Sequence, residues 1–193
     1  MQSIYFVDSN FTYESSKKSI LSIRYATDGF SFCVHDETEK LVVFVHEPYA
    51  ADSREAVVAR LKNYVVNDAI LNLRFKKVYI MPCFKEKLLV PGAFFDKANI
   101  ATLYTVNQEV SPDDTILYHH IEGIEAYLVE TVISSFHDFV REHFPVVQIV
   151  NGAYPFILGA MSKALRDTEQ IFLDIQDNYF DLLFIRDSGI QLF

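Results

Sequence analysis

Hydrophobic positions along the chain fall into two kinds of period. Between Ser19 and His46 apolar residues recur at every second position or in short runs: Leu21, Ile23, Phe30, Phe32 and Val34, then Leu41-Val42-Val43-Phe44. Thr27-Asp28-Gly29 and the polar run Asp36 to Lys40 interrupt them, so three antiparallel strands are predicted over Ser19–Tyr25, Phe30–Val34 and Leu41–His46. From Asp52 the period lengthens. Val57, Val58, Leu61, Val65 and Ile70 share one helical stripe running to about Leu73, and Asp52 with Glu55 three residues on offers its cap. Lys76 to Met81 reads as a short strand, and Pro91 as the start of a second helix carrying Phe94, Phe95, Ala98 and Ala101. Strands are expected over Thr115–His120 and Ala126–Ile133, then a helix from Ser134 that Pro145 ends. A strand over Val146–Val150 and a fourth helix opened by Asn151-Gly152 complete this part.

A three-stranded meander followed by strands alternating with helices predicts an α/β fold. Strands separated by helices are joined by crossovers, which implies a mixed sheet with helices on both faces. The last stretch then repeats the beginning. Ile171, Leu173, Phe180, Leu182 and Phe184 lead into the turn Arg186 to Gly189 and the run Ile190 to Phe193, on the spacing of residues 21–43. Only Phe30 and Phe180 are identical in that register, so the repeat is one of strands and turns. Residues 1–168 are expected to form a first domain, and 169–193 the first hairpin of a second, similar one.

Composition narrows the classes of function. Half of the 193 residues are apolar, with 17 Phe and 11 Tyr, which supplies a packed core and argues against disorder. The 26 acidic against 17 basic residues give a net charge of −9, a field that repels phosphate backbones and anionic membranes. Neither nucleic acid nor membrane is expected as a partner. Cys33 and Cys83 lie in apolar segments far apart, as reduced core thiols do. The amino-terminal residues carry no basic region followed by an apolar one, and no run approaches a membrane span, so a cytoplasmic protein is expected.

The meander with its alternating helices and strands resembles a ribonuclease-H-like domain. Starting the same meander again near residue 170 resembles the actin, sugar-kinase and heat-shock chaperone superfamily. Through Ser19–Tyr49, Pro91–Phe95 and Asp174–Phe193 the whole chain is similar to a bacterial domain-of-unknown-function family of actin-like ATPase fold, whose members are longer. The resemblance implies ATP and magnesium as candidate cofactors, with Asp174 and Asp181 as the candidate binding residues. The superfamily's second-domain turn has small residues and threonines between two aspartates. Here Asp174 to Leu182 reads Asp-Ile-Gln-Asp-Asn-Tyr-Phe-Asp-Leu, which keeps the aspartates and lacks the glycines. Backbone N–H groups need those glycines to approach phosphate, since a side chain costs roughly 1–2 kcal/mol at positive φ. Asp177 adds a like charge, and two charges about 4 Å apart at an effective dielectric near 20 repel by roughly 4 kcal/mol. In the first turn Arg24 stands where nucleotide-binding members carry Asp, and Tyr25 to Gly29 replaces a Gly- and Thr-rich loop.

Other candidate chemistry is weak. His119 and His120 point to opposite faces of a strand and cannot share an ion, and His137 and His143, six apart, lie on different helix faces. His46-Glu47-Pro48 reads as a loop contact, Lys85-Glu86-Lys87 as a solvated loop, and Asp113-Asp114 as a turn. The expected function is therefore that of a non-catalytic interaction or scaffolding protein with degenerate nucleotide loops and no cofactor, whose C-terminal strand edge pairs with a protein partner or a second copy. The alternative is an ATP-binding protein or ATPase using Asp174, Asp181 and magnesium through an atypical loop.

Overall fold

The computed structural model describes residues 2–176, 178–187 and 189–193. In chain order its elements are β1 (Ile4–Val7), α1 (Tyr13–Ser16), β2 (Ile20–Ala26), β3 (Gly29–His35), β4 (Leu41–Pro48), α2 (Arg54–Asn67) and β5 (Lys77–Pro82). There follow β6 (Lys87–Pro91), a 3-10 turn (Gly92–Phe94), α3 (Ile100–Asn107), β7 (Asp114–Ile121), β8 (Ala126–Ile133), α4 (Ser134–His143) and β9 (Val147–Ile149). The chain finishes with α5 (Ala153–Lys163), β10 (Glu169–Ile175), β11 (Phe180–Arg186) and β12 (Gly189–Leu192). They group into two compact units. One runs to Phe84 and takes in Asp113–Thr115 and Val132–Val150; the other consists of Lys85–Pro112, Ile116–Thr131 and Asn151–Phe193.

The first unit is built on a six-stranded mixed sheet ordered β1-β4-β3-β2-β5-β9. The meander β2-β3-β4 and β1 pair antiparallel, whereas β2 with β5 and β5 with β9 pair parallel. Alternation decides which side is buried. Leu21, Ile23 and Tyr25 of β2 and Phe30, Phe32 and Val34 of β3 share one face and are buried, as period two requires. The stripe Val57, Val58, Leu61 and Val65 of α2, and Phe136 and Val140 of α4, complete that cluster. Each such side chain contributes roughly 1.5–3 kcal/mol when removed from water.

Several boundaries differ from those the pattern predicts. Helix α2 is capped by Ser53, whose Oγ accepts from the Ala56 N–H at 3.2 Å, and not by Asp52. It ends at Asn67, well short of Leu73. The Asp68 carboxylate there accepts from the N–H groups of Ile70 and Leu71, and the Asn72 amide donates to the carbonyls of Val65, Val66 and Asp68. These side-chain bonds replace the helical ones. Pro91 closes strand β6 and starts no long helix. The Gly92 N–H is drawn to the Glu125 carbonyl at 2.6 Å, Phe95 stacks on Tyr127 at 3.6 Å, and the next helix waits until Ile100.

In the second unit the three-stranded sheet β6-β8-β7 and the meander β10-β11-β12 supply the strands. Helix α5 places Ala153, Ile157 and Ala160 against Leu128, Leu183 and Ile185. Phe172, Leu183 and Ile185 are thus the covered side of the second meander. On its other side, Ile171 faces Phe184, Leu173 faces Leu182 and Ile175 faces Phe180. These are the positions that match the buried Leu21, Ile23, Tyr25, Phe30, Phe32 and Val34 of the first meander. Here four of the six are open to solvent, with Ile171 64%, Leu173 53%, Ile175 77% and Phe180 62% exposed, and Leu182 and Phe184 are half-buried. Ser188, in the turn after β11, lies outside the described residues.

Candidate functional site

Asp174 and Asp181 are directly opposed across the β10–β11 ladder. The hairpin closes through the Gln176 N–H, which donates to the Tyr179 carbonyl at 2.9 Å, and the Gln176 side-chain amide donates to Asp174 Oδ2 at 2.8 Å. Asp177 lies outside the described residues. Both aspartates are half-buried, because they fall on the covered side of the strands with Phe172 and Leu183. Opposed carboxylates on one face repel. The repulsion is met from β6, where Lys87 sets its ammonium 2.8 Å from Asp181 Oδ2 and 4.7 Å from the centre of the Tyr179 ring.

This ion pair is well shielded, with Lys87 5% and Asp181 12% exposed at the side chain. Burial pushes the Asp181 carboxyl above the ordinary aspartate range, Lys87 pulls it back, and the Asp174 charge adds to the rise. The short contact and the raised value are compatible: the pair forms, and desolvation still exceeds what one ammonium returns. A lysine therefore occupies the position beside Asp181 that a carboxylate-bound cation would need. Lys87 was expected in a solvated loop. Nothing near it in sequence gives it away, since its partner lies on a strand that follows three helices later.

The corresponding hairpin of the first unit is also closed on itself. Arg24 donates in bidentate fashion to Asp28, at 3.0 and 3.2 Å, across the β2–β3 turn. Gly29 has φ +131°, and a Cβ there would stand 2.3 Å from the Glu47 carbonyl oxygen, so the turn is pressed against β4. At the carboxyl end of β5, where α/β sheets gather ligands, the Phe84 ring packs edge-on to Tyr25 at 5.5 Å and the Arg54 guanidinium lies over Phe84. Arg54 pairs with Asp114 at 3.4 Å. Asp114, expected in a turn, begins β7 with its side chain 4% exposed.

Each unit thus carries a three-stranded meander whose first hairpin is held by an ion pair, Arg24–Asp28 in one and Lys87–Asp181 in the other. The chain belongs to the family described as Protein of unknown function (DUF3822). That family matches residues 8–193. A crystal structure from Bacteroides thetaiotaomicron, described as a protein with actin-like ATPase fold and unknown function, superposes with a TM-score of 0.86 at 22% identity, over 94% of this chain and 71% of that one. The actin-like ATPase fold of this DUF3822 chain follows from that likeness. Weaker likenesses are to the Aquifex aeolicus member of the Ppx/GppA family (TM-score 0.39, 10% identity, 90% of this chain and 49% of that one) and to a PilM-PilN type IV pilus biogenesis complex (0.46, 11%, 90% and 60%). No curated protein matches the chain.

The remaining candidates stay apart. His119 is half-buried, its Nε2 finds no hydrogen-bond partner among the described residues, and burial holds its pKa below the usual histidine range. His120 is exposed and lies against Tyr127 at 5.0 Å. His137 contacts Asp138, and His143 sits between the rings of Phe139 and Phe144. His46 is inside β4, not after it. Burial raises the Cys33 thiol, as an inert core cysteine requires. Among the described residues no three His, Cys, Asp or Glu side chains group as metal ligands, and no helix is long and apolar enough to cross a membrane.

Proposed function

We propose that this DUF3822 chain is a non-catalytic interaction or scaffolding protein of actin-like ATPase fold, whose nucleotide loops have become internal structure. The observation that carries this reading is the Lys87 ammonium on Asp181. Magnesium-ATP would need that carboxylate free and a backbone able to approach phosphate, and the hairpin supplies a resident cation and no glycine between Asp174 and Asp181. Displacing Lys87 would strand a shielded charge, a cost of about 3–5 kcal/mol set against the roughly 8 kcal/mol of a micromolar ligand.

The interaction surface is the open side of the second meander together with its β12 edge. Two strands of seven residues and β12 of four, about 4.8 Å apart at about 3.4 Å per residue, give an apolar face of roughly 290 Å². That compares with the few hundred Å² a monomer ordinarily tolerates, and with about 800 Å² per partner in a stable complex. The face alone supports weak, concentration-dependent self-association. In the first unit the counterpart of this face packs against the Val-Val-Leu-Val stripe of α2, which supports a helix as the ligand. A partner protein's amphipathic helix is the matching ligand.

Calorimetric titration of the full chain with ATP and magnesium tests the first half, with no binding heat expected at about 100 μM protein, on the order of a hundred times a micromolar Kd. Low-micromolar binding abolished by Asp174→Ala would overturn it in favour of the ATPase alternative. Light scattering across a wide concentration range tests the second half, and a mass that stays monomeric throughout counts against the surface.

A further inference from the structure

We propose that the second unit takes up an extended peptide as an added strand in the slot between β6 and β12. The proposal rests on the reading of the chain as an interaction protein, and it gives the β12 edge a ligand of its own beside the helix that suits the open face. Both strands end their sheets, β6 pairing only with β8 and β12 only with β11. Two cavities of about 450 and 540 Å³ lie between them, and Leu89, Leu192 and Phe193 line both. Lys85 and Lys87 stand at one end with the last residues of β12. Pro91 stands at the other, where the slot reaches back to Gly189, so the two strands run past each other in opposite directions.

The main chain of β6 carries the polar groups that point to a ligand. The Gly92 N–H donates to the Glu125 carbonyl, which makes theirs a hydrogen-bonded pair in the continued β6–β8 register. Alternation then turns the backbone groups of Leu88 and Val90 toward β8, and the N–H and C=O of Leu89 toward the slot. Those two groups have no hydrogen-bond partner among the described residues. Pro91, which has no N–H to offer, falls at the next slot-facing position, where an edge strand tolerates it. The floor of the slot is already built, because Leu89, Ile190 and Phe193 pack against the cluster of Leu128, Leu183 and Ile185.

Dimensions and charge select the ligand. Over the about 20 Å from Lys85 to Pro91 the two cavities give roughly 50 Å² of cross-section, and one strand in a packed sheet fills about 4.8 by 10 Å. A slot with an unpaired edge on each wall admits a lone strand bonded on both sides. A strand already in a folded sheet, such as β12 of a second copy, brings its neighbour with it and does not fit. Lys85, 73% exposed and with only Glu86 near it at 3.8 Å, marks one mouth of the slot, and the exposed Glu125 marks the other. Antiparallel pairing with β6 then calls for a segment of about six residues with alternate apolar side chains, a basic residue first and an acidic residue last.

Titrating the full chain with the blocked peptide Lys-Val-Thr-Val-Thr-Glu, and with the same peptide whose Lys and Glu are exchanged, tests the proposal by amide NMR and hydrogen exchange. The first should slow exchange of the Leu89 amide at least about tenfold at saturation, and bind about threefold or more tightly than the second, the ratio that two exposed ion pairs support. The double variant Lys85→Glu/Glu125→Lys, changed only at exposed positions, should invert that preference, and proline in place of the second valine should abolish binding of either peptide. Equal affinities for the two peptides, a Leu89 amide left unprotected, shifts confined to the open face around Leu173, or no binding up to about 1 mM would each overturn the slot. Self-association in light scattering would survive any of these results, so the slot can fail while the interaction reading stands.

Discussion

Replacing Lys87 by Met tests whether the resident ammonium holds the second meander together. The side chain keeps its length and apolar stem and loses its charge. At 2.8 Å and an effective dielectric near 20 the gross attraction to Asp181 is about 6 kcal/mol, most of it offset by desolvating both groups. What the variant leaves behind is a shielded carboxylate without its partner, so a loss of about 2–4 kcal/mol is expected at pH 7. The dependence on pH carries the sign. Burial already raises the Asp181 carboxyl above its unfolded value, and without Lys87 it rises further. The stability held by a carboxyl of raised folded pKa is fully present below the unfolded value near 3.8 and is lost as pH climbs through the folded one. The deficit of Lys87→Met should thus be small at pH 4 and grow toward pH 8. Urea denaturation followed by circular dichroism reads it, with the slope checked for constancy. The double variant Lys87→Met/Asp181→Asn should recover most of the loss, since removing both charges leaves none stranded. A single variant within about 0.5 kcal/mol of wild type at pH 7, or a deficit that ignores pH, refutes the reasoning.

Gly29→Ala should cost at least about 2 kcal/mol in the same assay, because φ +131° is closed to L side chains and the new Cβ would meet the Glu47 carbonyl; a loss under about 0.5 kcal/mol contradicts this. His119→Phe bears on acid sensitivity. Burial depresses the His119 pKa, so the stability it contributes is present above about 6.5 and is lost as pH falls through its folded value; the phenylalanine variant should lose less between pH 6.5 and 5, and parallel curves would exclude this. Leu173→Glu, at a 53% exposed position, should leave stability within about 0.5 kcal/mol and abolish any concentration dependence of the mass in light scattering; persistence of that dependence would remove the face from the interface.

The elements were legible where one period dominated. Leu21 to Phe44 alternates cleanly, and its strands fall within a residue or two of the expected bounds. The stripe of α2 was equally plain, but its end was not, because Asp68 and Asn72 terminate the helix through side-chain bonds that hydrophobic spacing does not register. Pro91 misled for a related reason. A proline followed by Phe94, Phe95, Ala98 and Ala101 has helical spacing, yet Phe95 is spent on the Tyr127 ring and Phe94 stays exposed. At the candidate site the aspartates could be found from their turn, whereas Lys87 and Arg54 could not. Each is committed to a carboxylate brought near only by the fold, and a charged residue in a short polar run looks solvated until its partner arrives.

The two meanders share a layout and differ in how each is closed: Arg24 pairs with Asp28 within one hairpin, and Lys87 of β6 pairs with Asp181 in the other. Lys87 belongs to β6, so its ion pair ties Asp181 of β11 to the neighbouring sheet. It also fixes which side of β10 and β11 packs on α5: with Asp174 and Asp181 held inward, period two sends Ile171, Leu173, Ile175 and Phe180 outward. The Lys87–Asp181 ion pair and the exposed apolar side of the second meander are consequences of one register.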